Sequence, residues 1–322
     1  MSLVRKRLKR KGYKDSIINS LMKGWRENTK KQYKVYLEKW IRFCKRKNKN
    51  ELNRNTCIVL EFLQHMFSNN YSYSAINTAR SALSTIFDSP PIGEHNMIKR
   101  FMKGVFNTKP NLPRYTRIWD VSTVLNYLEK CSPGKCLDLS QLTQKLVTLI
   151  ALISGQRSQT IHSLDLNHME MTKTYAKFHI QDLLKHNSQY NKMTNIVTLP
   201  AYPDNKKLCA VTYLKQYIER TKTFRNQESK LFLSTQAPHK AVSTNTISRW
   251  IKLTLTKSGI NTDIYKAHST RAASTSAAAS ILDINQILKA ASWTKAETFG
   301  RFYNKPIEDE STKFGLTVLQ KK

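Results

Sequence analysis

His268 and Arg271 stand three residues apart in the run AHSTRAAS, so on a helix their side chains leave one face. An imidazole beside a guanidinium is a poor core element and a good oxyanion site. The guanidinium offers several donors and keeps its charge at any working pH, while the imidazole can give or take a proton near neutrality. Residues 272–279 are alanine-rich, a strong helix former that demands close packing on one side, and Ser269 or Thr270 is placed to cap it. A second cation, Arg157, follows Gly155 at the end of the very apolar stretch 142–153. A glycine there predicts a left-handed helix end, after which Arg157 opens a new short helix and is held by the turn. Trp293 and Tyr303 come 22 and 32 residues after Arg271, the tyrosine among Phe299 and Phe302.

The elements that must position these groups occupy a chain of 322 residues, long enough for two domains with cores. The net charge of +32 points to a polyanion. It is spread along the chain, with 25 Lys and Arg against 7 Asp and Glu in residues 1–114, so both halves are expected to face phosphate. No run of 18 apolar residues exists to span a bilayer, which makes nucleic acid a better partner than a membrane. Five scattered cysteines and the lack of an apolar leader core suit a reducing compartment. Cys131 and Cys136 flank a turn but find no second pair at zinc spacing, so no metal site is expected.

Residues 1–14 carry a basic run read as a solvated or phosphate-touching arm or, in a cell with a nucleus, as a nuclear-import signal. From Thr29, a capping-box match with Gln32, apolar residues recur at helical steps; three more such segments follow near 56–67, 74–87 and 94–106. Residues 15–112 thus read as a helical DNA clamp, or as a plain bundle with solvated lysines. Residues 109–113 (KPNLP) form an extended linker, since each proline drives the preceding residue out of helical geometry. The second domain, 113–322, begins with a helix after Asp120. It continues with two alternating strands, 175–180 and 195–199, around a polar turn, then helices at 207–221 and 244–257, the latter capped by Ser243 or Asn245.

Arg157 in GQRSQTIHSLD, His268-x-x-Arg271, then Trp293 and Tyr303 in FGRFYNKP resemble, in order and spacing, the tyrosine recombinases, or phage-type integrases. The wording is most similar to recombinases of eukaryotic mobile elements of the DIRS or Crypton kind. Two departures are plain: the tryptophan lies ten residues before the tyrosine where the family has about nine, and Thr160 stands where it has Glu or Asp. The resemblance implies a mainly α fold with a small antiparallel β-sheet, a helical N-terminal core-binding domain preceding an α+β catalytic domain. It implies Tyr303 as nucleophile on a DNA phosphorus, with Arg157, Arg271, His268 and Trp293 around the phosphate. The family carries its catalytic lysine on a hairpin, which implicates Lys185, with Lys192 and Lys177 as rivals. Its helix before the His-x-x-Arg helix reads the major groove, which makes Thr244, Asn245, Ser248 and Arg249 candidates for DNA contact.

The expected reaction is cleavage and rejoining of double-stranded DNA through a 3′-phosphotyrosyl link, which keeps the bond energy. No cofactor is expected: no Walker-type loop and no spaced carboxylate set for two metals occur in the sequence. The implied assembly is a homo-oligomer, a dimer on a site and a tetramer in synapsis, with family members docking their C-terminal tail on a neighbour. It would work in the nucleus of a eukaryote or the nucleoid of a bacterium. Two alternatives stay open: a type IB topoisomerase-like relaxing enzyme, and a DNA-binding descendant that no longer cuts.

Overall fold

The computed structural model describes residues 1–88, 90–131, 136–182, 195–293, 295–307 and 313–320, and divides the chain into Met1–Pro113 and Arg114–Lys322. The architecture is mainly helical with one three-stranded antiparallel sheet, the expected fold class. Among the described residues no helix is long and apolar enough to cross a membrane.

The first unit folds as α1 (Ser2–Arg10), α2 (Asp15–Lys23), α3 (Glu27–Arg46), α4 (Thr56–Ser68), α5 (Tyr73–Leu83) and α6 (Asn96–Thr108). Helix α3 lies on α5, and α4 on α5 and α6. Trp40 is the centre of this core, meeting Phe62 edge-on at 5.3 Å and Phe87 at 6.0 Å. Two local expectations differ from what forms. Residues 1–14 are not a solvated arm: α1 buries Leu3 and Val4, with Leu8 partly buried on the same core. The dense charge hides a narrow apolar stripe, and the cations simply take the opposite face. Thr29 does not cap, because α3 begins at Glu27, with Arg26 at its N-cap and no side-chain cap. Burial of the amphipathic face extends the helix past the local signal.

The second unit is built around α8 (Leu139–Ser154), opened by a capping box between Asp138 and Gln141 and buried along most of its length. Against it pack α10 (Ala210–Thr221), α11 (Thr244–Lys257), α12 (Ser269–Ala278) and a strand of the sheet. Helix α7 (Val121–Lys130) starts at the Asp120 cap, and α9 (Ser158–His162) follows α8 after a short turn. The sheet runs β1 (Met169–Met171), β2 (Tyr175–Ile180), β3 (Asn195–Pro200), with Phe178 opposite both Met169 and Val197. Alternation places Ala176, Phe178, Ile180, Val197 and Leu199 in the core. The chain closes with α13 (Ile284–Ala290), α14 (Ala296–Phe302) and α15 (Lys313–Leu319). Inside α8 the buried Lys145 donates to Leu128 O (2.6 Å), Cys131 O (2.8 Å) and the Tyr213 hydroxyl (2.8 Å), so its ammonium group has protein acceptors in place of water.

Candidate active site

Helix α8 ends at Gly155 in the left-handed region, φ +58°, as its sequence predicts. The glycine turns the chain so that Arg157 sits at the N-cap of α9, and its carbonyl accepts a 2.7 Å hydrogen bond from Arg271 Nη1. Arg271 lies in the first turn of α12 and is fully buried. Its Nη2 donates to Ala291 O, and its guanidinium carbon stands 4.1 Å from the Trp293 ring centre. One arginine therefore ties together the end of α8, helix α12 and the segment after α13. The neighbouring Gln156 repeats the tie, donating to Ala290 O at 2.8 Å and Ser292 Oγ at 3.2 Å.

Tyr303, half-buried at the C-terminus of α14, completes the group. Its ring lies 4.5 Å from Trp293 and 5.6 Å from the Arg271 guanidinium, and its hydroxyl is 2.9 Å from His268 Nε2. His268 is exposed at the N-cap of α12. Ser269 and Thr270 do not cap that helix: Ser269 Oγ accepts from Trp119 Nε1 at 2.9 Å, and Thr270 Oγ1 donates to Ala267 O at 2.7 Å. Burial pulls the Arg271 guanidinium down to about 9, and the nearby charge of Arg157 acts in the same direction, while the Tyr303 phenol works the other way. The group still stays cationic at neutral pH.

Three N–H donors in this cluster, Arg157 Nη1, Arg271 Nε and Trp293 Nε1, are buried without an acceptor among the described residues. Arg225 in the same unit shows the contrast. It too is buried, yet its donors are filled by Thr221 Oγ1, Lys230 O and Leu231 O. Unfilled N–H donors on two guanidinium groups and an indole are the kind an oxyanion requires, and a phenol within hydrogen-bond distance of an imidazole belongs to the same cluster. Thr160, where the family has a carboxylate, is buried on α9.

The hairpin candidates Lys185 and Lys192 lie outside the described residues. Lys177, within β2, pairs with Glu170 at 3.5 Å and lies over the Tyr175 ring at 4.8 Å. Helix α11 is capped by Ser243, whose Oγ accepts from Thr246 N–H. It buries Ile247, Trp250 and Ile251, and leaves Asn245 and Arg249 exposed and Thr244 and Ser248 half-buried. Sequence reasoning missed Gln156, Trp119 and Ser276, whose partners here are distant in the chain; only the proximity of Gln156 to Arg157 was a signal.

The first unit carries its own basic concavity. Lys39, Arg42, Lys45 and Arg46 of α3 line a cavity of about 960 Å³ floored by Phe62 and Met66, with Tyr71 at its rim. Six of the unit's other lysines meet carboxylates: Lys6 with Glu51, Lys9 with Asp15, Lys11 with Asp88, Lys30 with Glu27, Lys34 with Glu38 and Lys47 with Glu61. Among the described residues, no ion pair involves the four cations of the cavity. Its charge is thus left facing solvent.

The phage integrase family model matches residues 120–309, and the model of the phage integrase N-terminal SAM-like domain matches residues 15–90. No curated protein matches the sequence. Among solved structures, the chain is similar to XerH site-specific recombinase in a post-cleavage complex with palindromic difH substrate, at 14% identity over 90% of this chain and 78% of that one, with a TM-score of 0.61. It is similar to the Tn1549 transposon integrase in complex with transposon right end DNA, at 13% identity over 99% and 98%, with a TM-score of 0.59. A lambda integrase dimer bound to a COC′ core site gives 14% identity over 95% and 96%, with a TM-score of 0.56. At these identities the neighbours speak for the fold, and the family model, spanning most of the second unit with its arginines, histidine and terminal tyrosine, speaks for descent. The chain belongs to the phage integrase family, the tyrosine recombinases.

Proposed function

We propose that this recombinase acts on double-stranded DNA at the ends of a mobile element, with Tyr303 as the nucleophile. The phenol oxygen attacks the phosphorus as its proton passes to His268, the bond from phosphorus to the 5′ oxygen breaks, and a 3′-phosphotyrosyl link forms. Lys185, or Lys192 in its place, gives the departing 5′ oxygen its proton. Arg157, Arg271 and the Trp293 indole hold the non-bridging oxygens, so that the charge developing there meets fixed donors. The link stores the energy of the broken bond, and reversal of the same steps rejoins the strand.

The observation that carries this reading is the conjunction of three buried, acceptor-less N–H donors with a phenol 2.9 Å from His268 Nε2. The DNA-bound state of the structural neighbours supports the choice of polyanion, and the transposon origin of one supports the mobile element. Others are a dimer on a core site and a tetramer on a Holliday junction, which supports assembly of this chain on paired sites. Asn245 and Arg249 of α11, and the cations of the first unit's cavity, supply DNA contacts in this reading. The test is a nicked suicide duplex carrying the element's end: wild type should form a covalent adduct that Tyr303→Phe does not. Adduct formation by Tyr303→Phe would overturn the assignment, and a wild type that binds but never captures would leave a DNA-binding protein.

A further inference from the structure

Helix α12 and the turn that ends it carry four hydroxyl residues beyond the first turn, Ser274, Thr275, Ser276 and Ser280, and their bonds differ. Ser274 donates to Thr270 O at 2.9 Å, Thr275 to Arg271 O at 2.7 Å and Ser280 to Ala277 O at 2.8 Å, each returning to its own helix. That is the ordinary resting place of a helical hydroxyl. Ser276 does otherwise. Its Oγ donates to Tyr303 O at 2.7 Å and accepts from Lys305 N–H at 3.0 Å, reaching 27 and 29 residues along the chain.

The two bonds grip the main chain on either side of Asn304, directly after the tyrosine. Helix α14 is only seven residues long and buries a single residue, Phe299, so it has little packing of its own to fix its end. The Tyr303 carbonyl belongs to the last turn and has no continuing helix to serve it, and Ser276 supplies the missing donor. Just beyond, Pro306 O accepts from Ile118 N–H at 3.0 Å, which holds the departing chain a second time. The grip is set in the wall of a cavity of about 620 Å³ that the more exposed Ser280 also lines.

We propose that Ser276 is a positioning residue that latches the main chain of Tyr303 to the helix bearing Arg271. The inference rests on the reading of Tyr303 as the nucleophile. Ser276 touches no reacting atom. It fixes where the phenol oxygen can stand relative to the two guanidinium groups, and misplacement of a nucleophile by about an ångström is enough to slow a displacement strongly.

The full-length chain is tested in single-turnover capture of a nicked duplex at saturating DNA, with wild type, Ser276→Ala, Ser276→Thr and Ser280→Ala compared. Two hydrogen bonds are removed in Ser276→Ala, so capture should slow about tenfold while affinity for the uncleaved duplex stays within about twofold. Ser276→Thr, which keeps the hydroxyl, should recover most of the rate, and Ser280→Ala should match wild type. Amide hydrogen exchange supplies a readout independent of activity: Lys305 N–H should exchange faster in Ser276→Ala than in wild type or Ser276→Thr. Unchanged capture in Ser276→Ala, equal slowing by Ser280→Ala, or unchanged exchange at Lys305 would overturn the latch. A wild type that captures no DNA overturns the nucleophile assignment, and the latch with it, and is distinguished from failure of the latch alone by that same first lane.

Discussion

Replacing Trp293 with Phe separates stability from chemistry, because the structure predicts opposite tendencies for the two. The indole is buried, its ring 4.1 Å from the Arg271 guanidinium carbon and 4.5 Å from Tyr303, and its Nε1 has no acceptor among the described residues. A phenyl ring keeps a π face for the cation but loses volume and some of the tryptophan's stronger attraction, a cost of about 1–2 kcal/mol. Against this, an unsatisfied buried donor disappears, which returns about 1–3 kcal/mol. The folded state should therefore change by less than about 1 kcal/mol, although an arbitrary truncation in such a cluster usually costs more. In the proposed reaction the transition state would lose a donor to developing charge, and removal of one such donor typically slows a reaction about 10²-fold or more. Thermal melting of the full chain gives the first quantity, and single-turnover capture of a nicked suicide duplex at saturating DNA gives the second. A variant that melts much lower yet captures DNA at the wild-type rate would refute the reasoning and make Trp293 a packing residue.

Gly155→Ala places a side chain in the left-handed region at φ +58°, with Thr275 Cγ2 3.6 Å from the new carbon, an ordinary separation, so conformational strain should dominate and cost about 1–2 kcal/mol. Because Gly155 O also anchors Arg271, capture should slow in the same variant; a normal rate with a lowered melting point would show that the turn serves stability alone. Burial lowers the Lys145 ammonium to about 8 from 10.5, so between those pH values the unfolded chain binds the extra proton and this group's contribution to stability rises with pH. The stability difference between wild type and Lys145→Met should accordingly grow in favour of wild type from pH 8 to pH 10.5, by up to about 3 kcal/mol, and a flat difference in denaturant titrations would contradict it. Arg42→Glu with Arg46→Glu should weaken duplex binding and flatten its salt dependence by about 0.9 in log–log slope for each phosphate that is no longer neutralised, as read by fluorescence anisotropy; an unchanged slope would remove the α3 cavity from the DNA surface.

Much of the fold was legible because its signals are local. The apolar run of α8 followed by Gly155 specifies a buried helix and a left-handed stop, and the alternation in β2 specifies a half-buried strand. The order of Arg157, His268, Arg271, Trp293 and Tyr303 identified the family from residue types alone. Local signals failed where burial competes with them. The Thr29 capping box lies inside α3, and the basic run of residues 5–11 concealed α1, since a narrow stripe through Leu3 and Val4 is enough once a core exists to receive it. Ser269, read as a cap, is instead the acceptor of Trp119, 150 residues away.

The sequence by itself determined which groups are present and where the chain starts and stops most of its helices, because those depend on side-chain type and on neighbours three or four positions away. Only the tertiary structure decided what the groups do to one another. That Arg271 spends two donors on Gly155 and Ala291 and leaves Nε unfilled, that the Tyr303 hydroxyl meets His268, and that Ser276 grips the chain beyond Tyr303 are contacts between residues 20 to 116 positions apart. No local preference encodes them. They exist because α8 and α12 bury their apolar faces against each other, and burial of one face fixes which polar atoms are brought within bonding distance on the other.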